Sequence, residues 1–365
     1  MMIEAVISMM RYLSSRKDDD VVDRMNYLYT PNMLLAFSVL INVDVELIRE
    51  NDRYSESRRL SYYQWVPFLF LLQAACFRLP SFLWKCASLN SGIRVHEIVE
   101  RACDSQNLEE GTRKKSLETL TLHITKALRF QKRMIRRNII IHEAIKLFNL
   151  RYKTCFISYL YLLTKFFYLV NVWVQFYFMN WFLHTDKYTW YGFDVVWDIV
   201  QGKQWETSGY FPRVSICDFT IRQVANIQKY SVQCVLVINI FNEKIFILLW
   251  FWYVILAFST LISFIYWLVI ISFSCFGGNF VNSNLELSEL ELDTKKEKKR
   301  VVEFVNDYLK MDGIFVLRMI SLHAGIIYGT ELVAELYKSY HNIQDPGVYE
   351  DEKSQKSTMR TKKAE

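Results

Sequence analysis

The sequence predicts an all-α membrane protein, with four transmembrane helices and a cytoplasmic helical domain. Three observations carry that expectation. Hydrophobic residues form 52% of the chain and aromatic residues 16%, and they are gathered in blocks. Residues 245–273 hold no charged side chain, and about 20 such residues suffice for a helix to cross a hydrocarbon core of roughly 30 Å. The stretches between blocks differ in charge: residues 85–155 hold 15 Lys and Arg against 7 Asp and Glu, whereas 184–243 hold 5 against 6. An excess of Lys and Arg marks the cytoplasmic side. Lys85, Arg151 and Lys153, beside span ends, agree with it. Four spans then put both ends of the chain inside.

In chain order, residues 1–26 read as an N-terminal segment on the cytoplasmic side. They show no cleavable signal peptide, because Glu4 stands at the start and no long apolar run follows a basic one. The first span, 27–48, is the poorest against lipid. It holds Pro31 and Asn32, and Asp44 and Glu46 follow its apolar stretch, so it needs other helices or water to shield its polar side. A short outer loop covers 49–61. The second span, 62–84, is expected to kink at Pro67 and to let Arg78 snorkel from near one end. Within the inner loop, 85–155, apolar residues recur at helical spacing (Leu117, Leu120, Ile124, Leu128) among Lys and Arg. That pattern predicts a helix with a partner face inside the same assembly.

The third span, 156–183, is interrupted by Lys165. An intramembrane charge normally faces a bundle interior or water. With no acidic partner evident in a span, Lys165 is expected to pack toward its neighbours and steady the bundle. The long outer loop covers 184–243 and the fourth span 244–273. Trp and Tyr at several span ends fit an interfacial belt. The C-terminal part, 274–343, opens with a polar linker at 282–294 and the charge run KKEKKR at 295–300, read as solvated. A helical pattern follows over 302–340. The tail, 344–365, has few apolar residues and reads as disordered.

Several function classes find no support. The seven cysteines contain no C-x-x-C pair, so neither a metal nor a cofactor is implied. His142-Glu143 lacks the second histidine of a zinc-protease motif, and no nucleophile motif or paired carboxylates appear in the spans, so no catalytic residue is expected. The net charge of +6 comes from patches beside the membrane, so lipid and not nucleic acid is the implied contact.

A specific resemblance adds to this reading. Tyr62, Tyr63, Gln64, Trp65, Val66 and Pro67, with Phe68, open the second span as YYQWVPF. This string resembles a signature of the innexins. The outer loop supports it independently: GYFPRV at 209–214, CDF at 217–219, YSVQCVL at 230–236 and IFNEKIF at 240–246. DDVVDRMNY at 19–27 and DGIFVLR at 312–318 also fit, so the similarity runs from about residue 18 to residue 337. It implies a four-helix channel subunit with an intracellular helical domain. Eight such subunits, of one or several innexins, would ring a pore, with the first span and N-terminal segment facing it. Two rings would dock between cells, at gap junctions of the plasma membrane.

One departure from the family pattern stands out. Innexins carry two cysteines in each outer loop, which staple the loops together. Here Cys217 and Cys234 lie in the second loop, and the first has none and is shorter. Both face an oxidising exterior without their expected partners; they could pair with each other, bond elsewhere or remain free, and they are expected to be oxidised together in at least part of the population. The other five cysteines fall in spans or on the inner side and read as reduced. The implied function is a gap-junction channel subunit passing ions and small molecules between cells. The alternative is a non-junctional hemichannel or a non-conducting modulatory subunit.

Overall fold

The structure is a computed structural model and describes residues 18–40, 65–89, 93–137, 155–182, 197, 201, 214–223, 226–288 and 295–344. A helical run opens with one turn, α1 (Val21–Arg24), passes through a wider π-helical stretch at Met25–Tyr29, and continues as α2 (Thr30–Leu40). Then come α3 (Val66–Leu89), α4 (Val95–Ala102), a short 3-10 turn at Ser105–Leu108, α5 (Glu110–Arg137) and α6 (Phe156–Phe182). Two strands, β1 (Val214–Gln223) and β2 (Asn226–Val235), precede α7 (Val237–Ser272) and α8 (Ser274–Leu287). The chain ends with α9 (Lys295–Glu303), a second π-helical stretch at Phe304–Leu309, α10 (Lys310–Ala324) and α11 (Ile326–Gln344).

Three of these helices are long and apolar enough to cross a membrane: 66–88 in α3, 156–181 in α6 and all of α7. They overlap the second, third and fourth predicted spans, because runs of this length and composition form hydrogen-bonded helices in lipid. Only 39%, 39% and 33% of their apolar stretches are buried within the chain, so most of each apolar surface is left uncovered by it. The first predicted span is helical as far as Leu40. Its remainder, the first outer loop, and residues 345–365 lie outside the described residues.

The described residues divide into two compact units. The first takes its residues from 21–81 and 165–263. Its core joins Leu34 and Leu35 of α2, Phe70, Ala74 and Phe77 of α3, Val172 and Phe176 of α6, and Phe246, Trp250 and Tyr253 of α7. The second takes 82–164 and 264–365, with 16–20. Its core is centred on Tyr161, whose ring lies 5.4 Å from Trp84, 4.9 Å from Trp267 and 5.0 Å from Phe315. In it Gly325, at φ 91°, takes the left-handed turn between α10 and α11 that a side chain would strain.

Gly329 then lets those helices meet. A Cβ there would lie 2.2 Å from Ser321 Oγ and 3.2 Å from its Cα. Gly329→Ala is therefore expected to destabilise the protein by about 1–3 kcal/mol through overpacking. Thermal unfolding in detergent checks it, and an unchanged midpoint would show that the helices can part at no cost.

Three expectations need correction. The second span begins helically at Val66, so Pro67 occupies the first turn, where its missing N–H costs nothing. The proline inside the helix is Pro80. Because α3 runs on to Leu89, Arg78 lies in mid-helix and does not snorkel from an end. The segment 282–294 is not all linker, since α8 continues to Leu287. Tertiary bonds override its polarity: Asn284 donates to the Phe280 carbonyl at 2.7 Å and accepts from Thr330 at 3.1 Å. Beside its helices, the chain carries an antiparallel β-ribbon among the described residues. β1 pairs with β2 from Val214↔Val235 to Gln223↔Asn226, and Phe219 stacks on Tyr230 across it at 5.9 Å.

Candidate functional site

The most chemically distinctive place in the first unit is a polar seam buried among its helices. Asp23, Asn26 and Thr30 sit at i, i+3 and i+7, which is one stripe of a helix. Their exposures are 2%, 0% and 0%. Each meets a polar group of α6 or α7. Lys165 Nζ of α6 lies 2.9 Å from Asp23 Oδ1 and donates to Ser263 Oγ of α7 at 2.8 Å. Asn26 donates to Thr260 Oγ1 at 3.0 Å and to the Val22 carbonyl at 3.0 Å. Trp252 Nε1 donates to Thr30 Oγ1 at 2.9 Å.

The local backbone follows from these bonds. The Thr30 hydroxyl donates to the Met25 carbonyl at 2.7 Å, and the Thr30 N–H reaches the same carbonyl, five residues back. That i→i+5 bond defines the π-helical stretch, a local widening often found at functional sites. The polarity of the first span is thus partly answered within the subunit. Lys165, expected to steady the bundle, is 1% exposed and bonded on two sides. Sequence reading missed Asp23 as its partner, because it sought an acid within a span and assigned 1–26 elsewhere. The signal available was the i, i+3, i+7 spacing of polar residues leading into an apolar run.

The second unit holds the buried carboxylates Asp18 and Asp312 and the partly buried Asp20. Asp18, 0% exposed, accepts from Trp84 Nε1 at 2.8 Å and lies 3.3 Å from His96 Nδ1. Asp20 accepts from Trp267 Nε1 at 2.9 Å. Asp312 of α10 receives the backbone N–H of Ile157 at 3.4 Å, that of Ser158 at 3.1 Å and the Ser158 hydroxyl at 2.8 Å. It so caps the start of α6, where a negative charge suits the helix dipole. Burial nevertheless pushes its carboxyl up to about 6, against the lowering effect of those bonds.

The remaining sequence-selected residues lie apart from this seam. Trp65 is 65% exposed, while Val66 and Pro67 turn inward. Tyr62, Tyr63 and Gln64 fall outside the described residues. The β-ribbon register sets Cys217 opposite Val232 and Cys234 opposite Ser215. The two cysteines are therefore diagonal neighbours two positions out of register, with Cα atoms roughly 7–8 Å apart by ordinary sheet geometry. No group of three or more His, Cys, Asp or Glu among the described residues is arranged to hold a metal ion.

Comparison with known proteins gives a consistent result. The family described as Innexin matches residues 42–340. Innexin-11 of Caenorhabditis elegans is 50% identical, over 94% of this chain and 83% of its own length. Innexin-10 of the same organism is 42% identical, over 94% and 69%. Innexin unc-9, again from C. elegans, is 33% identical, over 93% and 97%. These alignments run over 388, 384 and 381 positions, each more than the 365 residues of the whole chain. Each relative thus has residues for which this chain has no counterpart.

Proposed function

This chain belongs to the innexin family, and on that premise we propose how its parts serve a gap-junction channel. It is a channel subunit of the plasma membrane at cell junctions, passing ions and small molecules between adjacent cells. The observation that carries this reading is the family match across 42–340 together with three membrane-capable helices inside it. Its partners are other innexin subunits. We place residues 85–155 and 274–343 on the cytoplasmic side and 184–243 outside, from the charge asymmetry of the loops. Eight subunits ring the pore. The seam around Lys165 fixes the N-terminal helix against α6 and α7. The largely unburied spans supply the surfaces that neighbours and lipid cover.

Docking to the ring of an adjacent cell is weak when this chain acts alone. Its first outer loop is short and lacks cysteine, and the extra aligned positions of its relatives accord with a missing stretch. A contact surface not held rigid must be ordered on binding, which lowers affinity. The test is junctional current between paired cells, with surface delivery confirmed. A small current is expected from this chain alone, and a large one when it is expressed together with an innexin carrying a full first loop. No current in either case would overturn the channel reading. Full coupling alone would overturn the weak docking.

Cys217 and Cys234 are oxidised together in only part of the population. Diagonal positions on the ribbon lie at or beyond the roughly 7 Å of Cα separation that a disulfide spans, so the bond forms only when the strands shift. In non-reducing mass spectrometry of surface protein, the expected result is a partial linked fraction that mild reductant removes. Complete linkage, or two thiols in every molecule, would show this to be wrong.

A further inference from the structure

Where α7 ends, the second unit holds a cleft of about 310 Å³, within the range of small-ligand sites. Ile270 and Ile271 of α7 and Ile314 and Phe315 of α10 form apolar walls, with Cys155 and Ser158 at the start of α6. Two cations, Lys310 and Arg318, also line it, and no carboxylate is among its lining residues. Both cations are held in unusual ways. Lys310 has φ 53°, a backbone that strains any residue but glycine. Arg318 donates to the Phe276 carbonyl at 2.5 Å and lies 4.7 Å from the Phe280 ring centroid. Its Nε is buried with no hydrogen-bond partner among the described residues. Burial also lowers its readiness to hold a proton.

The position of the cleft selects among anions. It opens beside the last residues of α7, where the charge-free 245–273 stretch ends, and a helix that crosses a membrane leaves it near the end of such a stretch. Apolar walls together with two cations match the join between a phosphate and its hydrocarbon. We propose that this cleft binds an anionic phospholipid of the adjoining leaflet, with its phosphate between Lys310 and Arg318 and its upper chain along Ile270 and Ile314. The proposal rests on α7 crossing the membrane, not on coupling between cells.

The test titrates the purified full-length assembly in detergent with dioleoyl phosphatidylserine or dioleoyl phosphatidylcholine and reads bound lipid by native mass spectrometry. Phosphatidylserine is expected to bind at least about fivefold more tightly, and Lys310→Gln to remove about fivefold of that affinity, the worth of one basic residue near an anionic surface. Ser274→Trp, at an exposed lining position, is expected to exclude both lipids by filling the mouth. Unchanged thermal unfolding shows that each variant folds. Equal binding of the two lipids, indifference to both variants, or displacement by inorganic phosphate would overturn the proposal. So would the absence of bound lipid in the assembly, the result expected if a second copy covers the cleft. Lipid binding without junctional current would fault the channel reading and leave this one standing.

Discussion

Lys165→Met is expected to cost the protein roughly 3–5 kcal/mol, the loss that follows when one partner of a buried ion pair is removed. The reason is what stays behind. Asp23 is 2% exposed and lies 2.9 Å from the ammonium, and Ser263 loses a donor at 2.8 Å. Methionine keeps much of the volume of lysine, so lost packing contributes little. The double variant Lys165→Met with Asp23→Asn is expected to lose less than Lys165→Met alone, because no uncompensated charge is then buried. Thermal unfolding in detergent across the cycle, with surface delivery in cells, measures the coupling. Additive single effects would mean that the two side chains act independently. If they are coupled, the N-terminal helix comes free when the pair is broken, and channel current changes along with stability.

The second large effect is a pH dependence centred on Asp312. Its carboxyl is raised from an ordinary 3.8 to about 6 by burial. A group with a raised folded pKa contributes stability that is fully present below its unfolded value and is lost as pH rises through the folded one. Acidification from pH 7.5 to 5 should therefore strengthen the protein through this group by about 1 kcal/mol, with the rest appearing only below pH 5. Asp312→Asn, uncharged throughout, is expected to equal or exceed the parent at pH 7.5 and to lose that advantage at pH 5. The midpoint difference between the two, followed across this range, isolates Asp312 from other titrating groups. A constant difference would show that its carboxyl does not change charge there. Since it caps α6 through the N–H groups of Ile157 and Ser158, the same titration acts on the start of a span.

Legibility followed the physics of each element. The second, third and fourth spans were plain because a charge-free run such as 245–273 admits one backbone solution in lipid. The inner-loop helix was plain from the period of Leu117, Leu120, Ile124 and Leu128, and α5 covers them. The β-ribbon was not. Its strands are joined at Val224-Ala225, which carries none of the residues that favour tight turns, and the alternation in β1 breaks at Cys217. The continuation of α8 to Leu287 depends on Asn284 meeting Thr330 far along the chain, which no local pattern announces. The same holds for Lys165 and Asp23, 142 positions apart in sequence. The type of residue marked Lys165 as unusual, but only the fold identified its counterpart.

The β-ribbon has a cost during synthesis. A two-stranded sheet is marginal in water, and the described side chains of β2 are exposed, apart from a partly covered Cys234. Among the described residues, each of its ten-residue strands has one edge paired and no strand on the other. Such an edge accepts any extended chain as a third strand, and the nearest supply is another newly made copy of this protein. Arg222 and Lys229, exposed on the two strands, oppose that outcome, because a like-charged strand laid alongside must bring more cations beside them. The exposed edge of the ribbon is thus a misassembly hazard, and charge on the ribbon limits it.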